Sequence, residues 1–351
     1  MQPTPPQLGD LSVGFALALQ RGMQEAGVAP ALAGSLLQDF GLTPQLLAGA
    51  GARLSIPRYM RLGHAAIELS GRPDLGLLAG TRSRLELLGL AGVCAAQAPD
   101  VRAALRCLTG FELLYARNYL GQSRLDEDSQ GAWVSFYSIA PYNGYNRFVV
   151  DAVLRGWLAQ MQQMAGQPVI PDRVQIEYPA PAHAARFEQA FGCPVEFSAP
   201  ANRLRLSRAT LALRNPQHCA HGWQELLHLC RQQLQQLQTP VRLSQQTGQL
   251  IASRLRQGEP DLESTARLLK LPAWTLQRRL EQEGTSFRQL LQDTRHALAL
   301  SYLRDTRLSL GEIAWLLGFA SSEAFQRAFK RWQGQPPGLY RRQAGGSEPD
   351  H

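Results

Sequence analysis

The sequence predicts an α+β amino-terminal domain followed by an all-α carboxy-terminal domain with two helix-turn-helix units. Three observations predict it. The last third of the chain is helically periodic almost throughout, and it breaks twice at a tight turn between short amphipathic segments. The middle of the chain, from Tyr115, switches to the two-residue alternation of strands. The formal net charge of +8 sits almost wholly in the last third, where Pro240 to Arg342 holds 16 Arg and Lys against nine Asp and Glu.

At 351 residues the chain is long enough for two cores. Its composition, 44% hydrophobic and 18% charged, is that of a globular protein. No apolar run is long enough to span a bilayer, so no membrane partner is expected. MQPTPPQLGD has no basic region followed by an apolar core, so no secretory signal is read. Cys94, Cys107, Cys193, Cys219 and Cys230 form no CxxC pair and no even framework. They fit a reducing cytoplasm and thiols packed as small hydrophobes.

Residues 1–10 read as loose. Helical patterns follow at Leu11–Ala26 and Ala31–Phe40, at Ile56–Ser70 with Pro57 in its first turn, and at Pro73–Gly80, Gly89–Ala98 and Asp100–Tyr115. Leu120–Leu125 and Gly131–Ile139 read as a hairpin around DEDSQG, and Phe148–Met164 as a helix. Val174–Tyr178, Val195–Phe197 and Arg203–Leu206 read as short strands, with a helix at Ala182–Phe191. Between hairpin and helix cluster Trp133, Tyr137, Tyr142, Tyr145, Asn146 and Arg147. They either contact a small effector or pack the sheet on the helix that follows.

Pro216 begins a long predicted helix capped by Asn215. Ala220, Trp223, Leu227, Cys230, Leu234 and Leu237 recur three and four apart along it. That stripe suits either a homodimer contact or packing on its own domain. His218, His221, Glu225 and His228 share another stripe, but without paired cysteines they are not taken as a metal site. Gln238-Thr239-Pro240 breaks the helix and sets the expected boundaries: 1–239, 240–342, and a tail at 343–351.

Val241–Gln257 restarts as a helix. Asp261 opens a tract with Leu262, Ala266, Leu268 and Leu269 as its core face. Pro272 opens a second helix buried through Leu276 and Leu280. Phe287–Arg304 is a long connector. In Leu308–Arg342, Leu310, Ile313, Ala314 and Leu317 form a buried face, Gly318 ends the helix, and Ser321 caps the next one. That last helix buries Ala324, Phe325, Ala328, Phe329 and Trp332 and turns a polar, basic face outward.

The residues that make this pattern also resemble a family. Ile313-Ala314, Gly318-Phe319, Ser321, Phe325, Arg327, Phe329-Lys330, Gly334, Pro337 and Tyr340-Arg341 are similar to the carboxy-terminal signature of the AraC/XylS family of bacterial transcription regulators. TLQRRL followed by GTSF resembles the family's first half. LTPQLLAGAGARLSIPRYMRLGHAAIELSGRPDLGLLAG resembles the arabinose-binding-like amino-terminal domain of one branch. The resemblance implies base-facing positions at Ala273, Trp274, Gln277 and Arg278, and at Ser322, Glu323, Gln326 and Arg327. Arg pairs with guanine, Gln with adenine, and Glu accepts from cytosine. Trp274 could instead be a core residue. Arg279, Lys330, Arg331 and Arg341 suit phosphates. The two reading helices would enter successive major-groove segments, about 34 Å apart.

The expected function is a cytoplasmic, homodimeric, sequence-specific regulator of promoter DNA. It would be an activator working with RNA polymerase, governed by an unidentified small effector. Two alternatives stand beside it: a regulator whose amino-terminal domain only dimerises or docks a protein, and a DNA-repair enzyme fused to this module. The second lacks the activated thiolate it would need. No Walker, dinucleotide or GxSxG motif is present, so no catalytic residue, metal or cofactor is assigned.

Overall fold

The computed structural model describes residues 9–49, 51–118, 121–138, 142–237, 243–255, 258–305 and 308–345. Two compact units hold nearly all of the described residues, Asp10–Leu237 and 243–345. The junction at Gln238-Thr239-Pro240, residues 1–8 and the end of the tail lie outside the described residues. Among the described residues no helix is long and apolar enough to cross a membrane.

The amino-terminal unit opens with β1 (Gly9–Ser12), α1 (Gly14–Glu25), α2 (Pro30–Asp39), α3 (Pro44–Ala48) and β2 (Arg53–Ser55). Then come α4 (Ile56–Ser70), α5 (Leu75–Thr81), α6 (Gly89–Ala96), α7 (Val101–Gly110) and β3 (Ala116–Asn118). The predicted first helix therefore starts later than Leu11. Gly9–Ser12 is a strand in a three-stranded sheet ordered β2-β1-β3, with Leu11 opposite Leu54. Three- and four-residue strands are too short to show alternation, and their partners are far apart in sequence. Ser55 caps α4 by accepting from Arg58 N at 3.3 Å, with Pro57 in the first turn as expected.

The hairpin β4 (Arg124–Glu127) and β5 (Gly131–Phe136) follows, then α8 (Arg147–Ala165), β6 (Arg173–Gln175), α9 (Ala185–Phe191), β7 (Val195–Glu196) and β8 (Asn202–Ser207). The sheet runs β4-β5-β8-β6-β7, antiparallel except for β6 beside β7. Val134 lies opposite Leu204, and Leu204 opposite Val174, on the buried face. Asp128 makes the hairpin turn by accepting from Gln130 N at 2.8 Å and Gly131 N at 3.0 Å. α8 is the spine of the unit, and small residues bring neighbouring helices onto it. A Cβ on Gly76 of α5 would lie 2.6 Å from the Phe148 carbonyl oxygen, and one on Gly80 2.7 Å from Arg155 Cβ.

After α10 (Arg208–Leu211), α11 spans Ala220–Leu237. It does not start at Pro216. Asn215 is no helix cap: its amide donates to the Ala96 and Ala98 carbonyls, both at 2.8 Å, and holds the chain against the end of α6. The apolar stripe of α11 is committed in part to its own domain. Cys230 is fully buried, its Sγ 3.8 Å from the Leu90 carbonyl oxygen. Trp223, Leu227 and Leu234 are half-buried and Leu237 is exposed.

The carboxy-terminal unit is all helix: α12 (Leu243–Arg254), α13 (Leu262–Leu268), α14 (Ala273–Gln282), α15 (Phe287–Asp305), α16 (Leu310–Leu316), α17 (Ser322–Gln333) and α18 (Pro337–Gly345). Ala266, Leu276 and Leu280 form one small core, with Leu262, Leu269 and Phe287 against it. Leu268 does not join them. It is exposed, because the inward face of this helix runs through Leu262, Ala266 and Leu269 at helical spacing and position 268 falls on the opposite side. Ile313, Leu317, Phe325 and Phe329 are fully buried in the second half.

Candidate nucleic-acid interface and amino-terminal cavity

Two turns built alike position the two candidate reading helices. In the first, Lys270 N bonds to Arg267 O at 3.1 Å and Leu271 N to Ala266 O at 3.0 Å. In the second, Gly318 N bonds to Trp315 O at 3.0 Å and Phe319 N to Ala314 O at 2.9 Å. Both pivot residues are left-handed, Lys270 at φ 54° and Gly318 at φ 67°. At Gly318 the glycine is required twice over, since a Cβ would lie 2.5 Å from the Leu255 carbonyl oxygen. Ser309 and Glu312 form a reciprocal capping box on α16, and Ser321 caps α17 by accepting from Ala324 N at 3.2 Å.

With Thr275, Leu276 and Leu280 buried, α14 turns Trp274, Gln277, Arg278 and Arg279 outward. Trp274 is 64% exposed, so it is no core residue. The Arg278 guanidinium lies 5.4 Å from its ring centroid, which holds a flat apolar surface and a fork of donors side by side. Ala273 stands apart from these four. It is half-buried against the Leu276 core, because the first residue after Pro272 begins the helix on its inner side.

α17 repeats the arrangement. Glu323, Arg327, Lys330 and Arg331 are exposed, Ser322 and Gln326 half-buried, and the Gln326 amide donates to Ser322 Oγ at 3.2 Å. The Ser321 hydroxyl and the helix start hold the Glu323 carboxyl below its usual range, so it stays an acceptor. Arg341 departs from the sequence reading. Its Nη2 donates to the Leu308 carbonyl at 2.5 Å, and burial lowers its pKa. It ties α18 to the start of α16 and is not presented for a phosphate.

The aromatic cluster of the amino-terminal unit divides into separate roles. Trp133 lies on the outer face of the sheet, with the Arg203 guanidinium 4.1 Å and that of Arg205 5.6 Å from its centroid. Tyr142 bonds to Glu177 and accepts from Asn202 at 2.7 Å. Tyr145 lies against His64, the ring centroids 4.1 Å apart, and Arg147 sits 5.6 Å from the Tyr178 centroid. Only Tyr137 and Asn146 of the six line a cavity.

That cavity was not legible in the sequence. Its walls come from α1, α4, the segment after α7, β5 and α8, and about 70 Å³ is open inside. Phe15, Tyr59, Phe136 and Trp157 are among its walls. Among the described lining residues Glu112 alone carries a formal charge, and its carboxylate accepts from Ser123 N and Ser123 Oγ, both at 2.6 Å. Burial pushes the Glu112 carboxyl up, against the pull of those two bonds. Gln160 gives its amide to Ser83 Oγ at 2.8 Å and leaves its buried Oε1 without a partner.

Beside the cavity, Asp151 is fully buried and bonded to the Tyr178 hydroxyl, and burial pushes it from 3.8 up to about 7. An acid with a raised folded pKa costs nothing while both states are protonated. Its cost grows as pH rises from the unfolded value and is complete above the folded one. Asp151→Asn, isosteric with the protonated form, should therefore match the parent near pH 4 and exceed it above pH 7. The gain should be a few kcal/mol, at about 1.4 kcal/mol per pH unit. Denaturant melts at pH 4, 6 and 8 check this, and a pH-independent gap refutes it.

The cysteines are less scattered than the sequence suggests. Cys94, Cys107 and Cys230 are all buried free thiols gathered at α6, where Cys107 Sγ donates to the Ala91 carbonyl at 3.7 Å and Cys230 Sγ to the Leu90 carbonyl at 3.8 Å.

Comparison with known proteins matches this architecture. Residues 31–215 match the arabinose-binding domain of AraC transcription regulator, N-terminal, and residues 265–343 match a helix-turn-helix domain. The ornithine utilization regulator of Pseudomonas aeruginosa is 33% identical over 341 residues, covering 94% of this chain and 95% of its own. The HTH-type transcriptional regulator VirS of Mycobacterium tuberculosis is 27% identical, covering 92% and 94%. The crystal structure of the transcriptional regulator CdpR from Pseudomonas aeruginosa aligns at 23% identity and a TM-score of 0.42, over 88% of this chain and 96% of that one. With two like-built turns each presenting a polar helix face, following an arabinose-binding-type domain in the sequence, this chain belongs to the AraC family of DNA-binding transcription regulators.

Proposed function

We propose that the chain reads promoter DNA through α14 and α17, as a homodimer and an activator working with RNA polymerase in the cytoplasm. A small effector held in the amino-terminal cavity would set the population of its active form. The observation that carries this reading is the pair of exposed faces, Trp274–Gln277–Arg278 and Glu323–Gln326–Arg327, standing on matching turns. Arg279, Lys330 and Arg331 flank them and hold phosphates, which fixes register without reading sequence. The dimer contact falls on α11 through what its own domain leaves open, with Leu237 and Leu229 over 40% exposed.

Arg278→Ala and Arg327→Ala should each weaken operator binding by about 1–3 kcal/mol and relax preference at one position. Arg331→Ala should weaken binding to all sequences alike and reduce the salt slope by about one. Footprinting over a salt series separates these outcomes. Normal protection of the native operator by both of the first two variants would refute the assigned contacts.

A further inference from the structure

From the cavity we infer that the effector is a small organic cation, an amine with a compact apolar body. The inference rests on the proposed effector reading and specifies its chemistry. Its lining holds Glu112 but no Arg, Lys or His among the described residues. Tyr59, Phe15, Phe136, Tyr137 and Trp157 supply aromatic surface around it.

An ionised carboxylate in an apolar cavity is costly unless a counter-charge meets it. Among the described residues the donors to Glu112 are the two of Ser123, and no cationic side chain lines the cavity beside it. Those donors occupy one position on each carboxylate oxygen, so each oxygen keeps a free lone-pair direction. The second acceptor is independent. Gln160 is 3% exposed and lines the same cavity, its amide group fixed on Ser83, so its Oε1 is an unpartnered acceptor.

Two acceptors and one negative charge match an ammonium group, which carries three donors and no acceptor. The aromatic faces add attraction for the same charge and cover the hydrocarbon part. A carboxylate or phosphate ligand would meet Glu112 with nothing to neutralise it. A sugar would set many hydroxyls against mostly apolar walls. The room available limits the body to about the size of a short alkyl chain or one ring.

The test uses the full chain and six probes: 2-phenylethylamine and n-butylamine, their neutral counterparts 2-phenylethanol and n-butanol, and the acids phenylacetate and butyrate. Melting temperature is followed against probe concentration. Either amine should raise it in a saturable way, at least tenfold more tightly than the alcohol of the same shape, and the acids should have no effect. Glu112→Gln should abolish the tenfold preference without changing alcohol binding. If that variant does not fold, the amine-against-alcohol ratio on the native chain decides alone. Alcohols or acids that bind as tightly as amines overturn the cation inference and leave an effector site standing. Silence from all six overturns the inference, and the effector reading falls only if a panel of sugars, organic acids and neutral metabolites is silent too.

Discussion

Arg295→Ala should disable the second helix-turn-helix while leaving the first intact. Arg295 lies on α15 and is only 8% exposed. Its Nε donates to the Leu317 carbonyl at 2.9 Å, its Nη2 donates to Gly318 O at 3.0 Å, and its guanidinium sits 4.7 Å from the Phe319 centroid. These carbonyls lie at the carboxyl end of α16, where a helix has no acceptor partners of its own and carries partial negative charge. Removing the side chain strands both carbonyls and opens a void under the turn that aims α17. A loss of about 3–6 kcal/mol is expected, from two charge-assisted bonds at roughly 1.5–3 kcal/mol each. Arg295→Lys should recover part of it, since an ammonium reaches one carbonyl but lacks the fork for two. Footprints should keep the half-site under α14 and lose the one under α17. A melting temperature within two degrees or so of the parent would refute the clamp, since even about 1 kcal/mol moves a domain this size by several degrees.

Gly63→Val should unfold the amino-terminal unit while leaving the carboxy-terminal one its own transition. A Cβ on Gly63 would lie 1.9 Å from Phe148 Cζ and 2.2 Å from Cε1. The ring cannot turn aside. It is 2% exposed, Tyr59 packs on it at 5.3 Å, and α5 closes on its backbone at Gly76. Mid-helix glycine ordinarily costs about 1 kcal/mol against alanine, so propensity alone would favour replacement. The clash outweighs it, because overpacking a filled core costs about 1–3 kcal/mol for a methylene, and valine adds three carbons. Gly63→Ala combined with Phe148→Leu should be more stable than Gly63→Ala alone, a non-additivity that only direct contact produces. Additive effects in calorimetry would place the damage elsewhere.

The carboxy-terminal half was legible because its signals are local. Gly318 and Ser321 announce helix ends close to the backbone groups they serve, and the second turn falls where they indicate. What periodicity could not show was which polar residues on α15 reach inward, so nothing in the sequence singled out Arg295. Ala273 and Arg341 failed for a related reason, since position in a signature does not reveal a core or a carbonyl beside the side chain. The amino-terminal half depends on contacts across long separations. Asn215 reads as a helix cap until Ala96 and Ala98 take its amide, and the β1 strand is paired with residues more than 40 positions away. Glu112 carried the one faint signal of the cavity, as a lone acid in an otherwise apolar run, but nothing local ties it to Gln160.

Glu283 gives the carboxy-terminal unit a mechanical property. Its two carboxylate oxygens accept from Leu243 N and Ser244 N, both at 2.9 Å, so the last turn of α14 grips the first turn of α12. Load on α12 at Leu243 is therefore carried to α14, the helix of Trp274 and Arg278, by two parallel links: the Glu283 carboxylate and the packing of Leu243 on the Leu276 core.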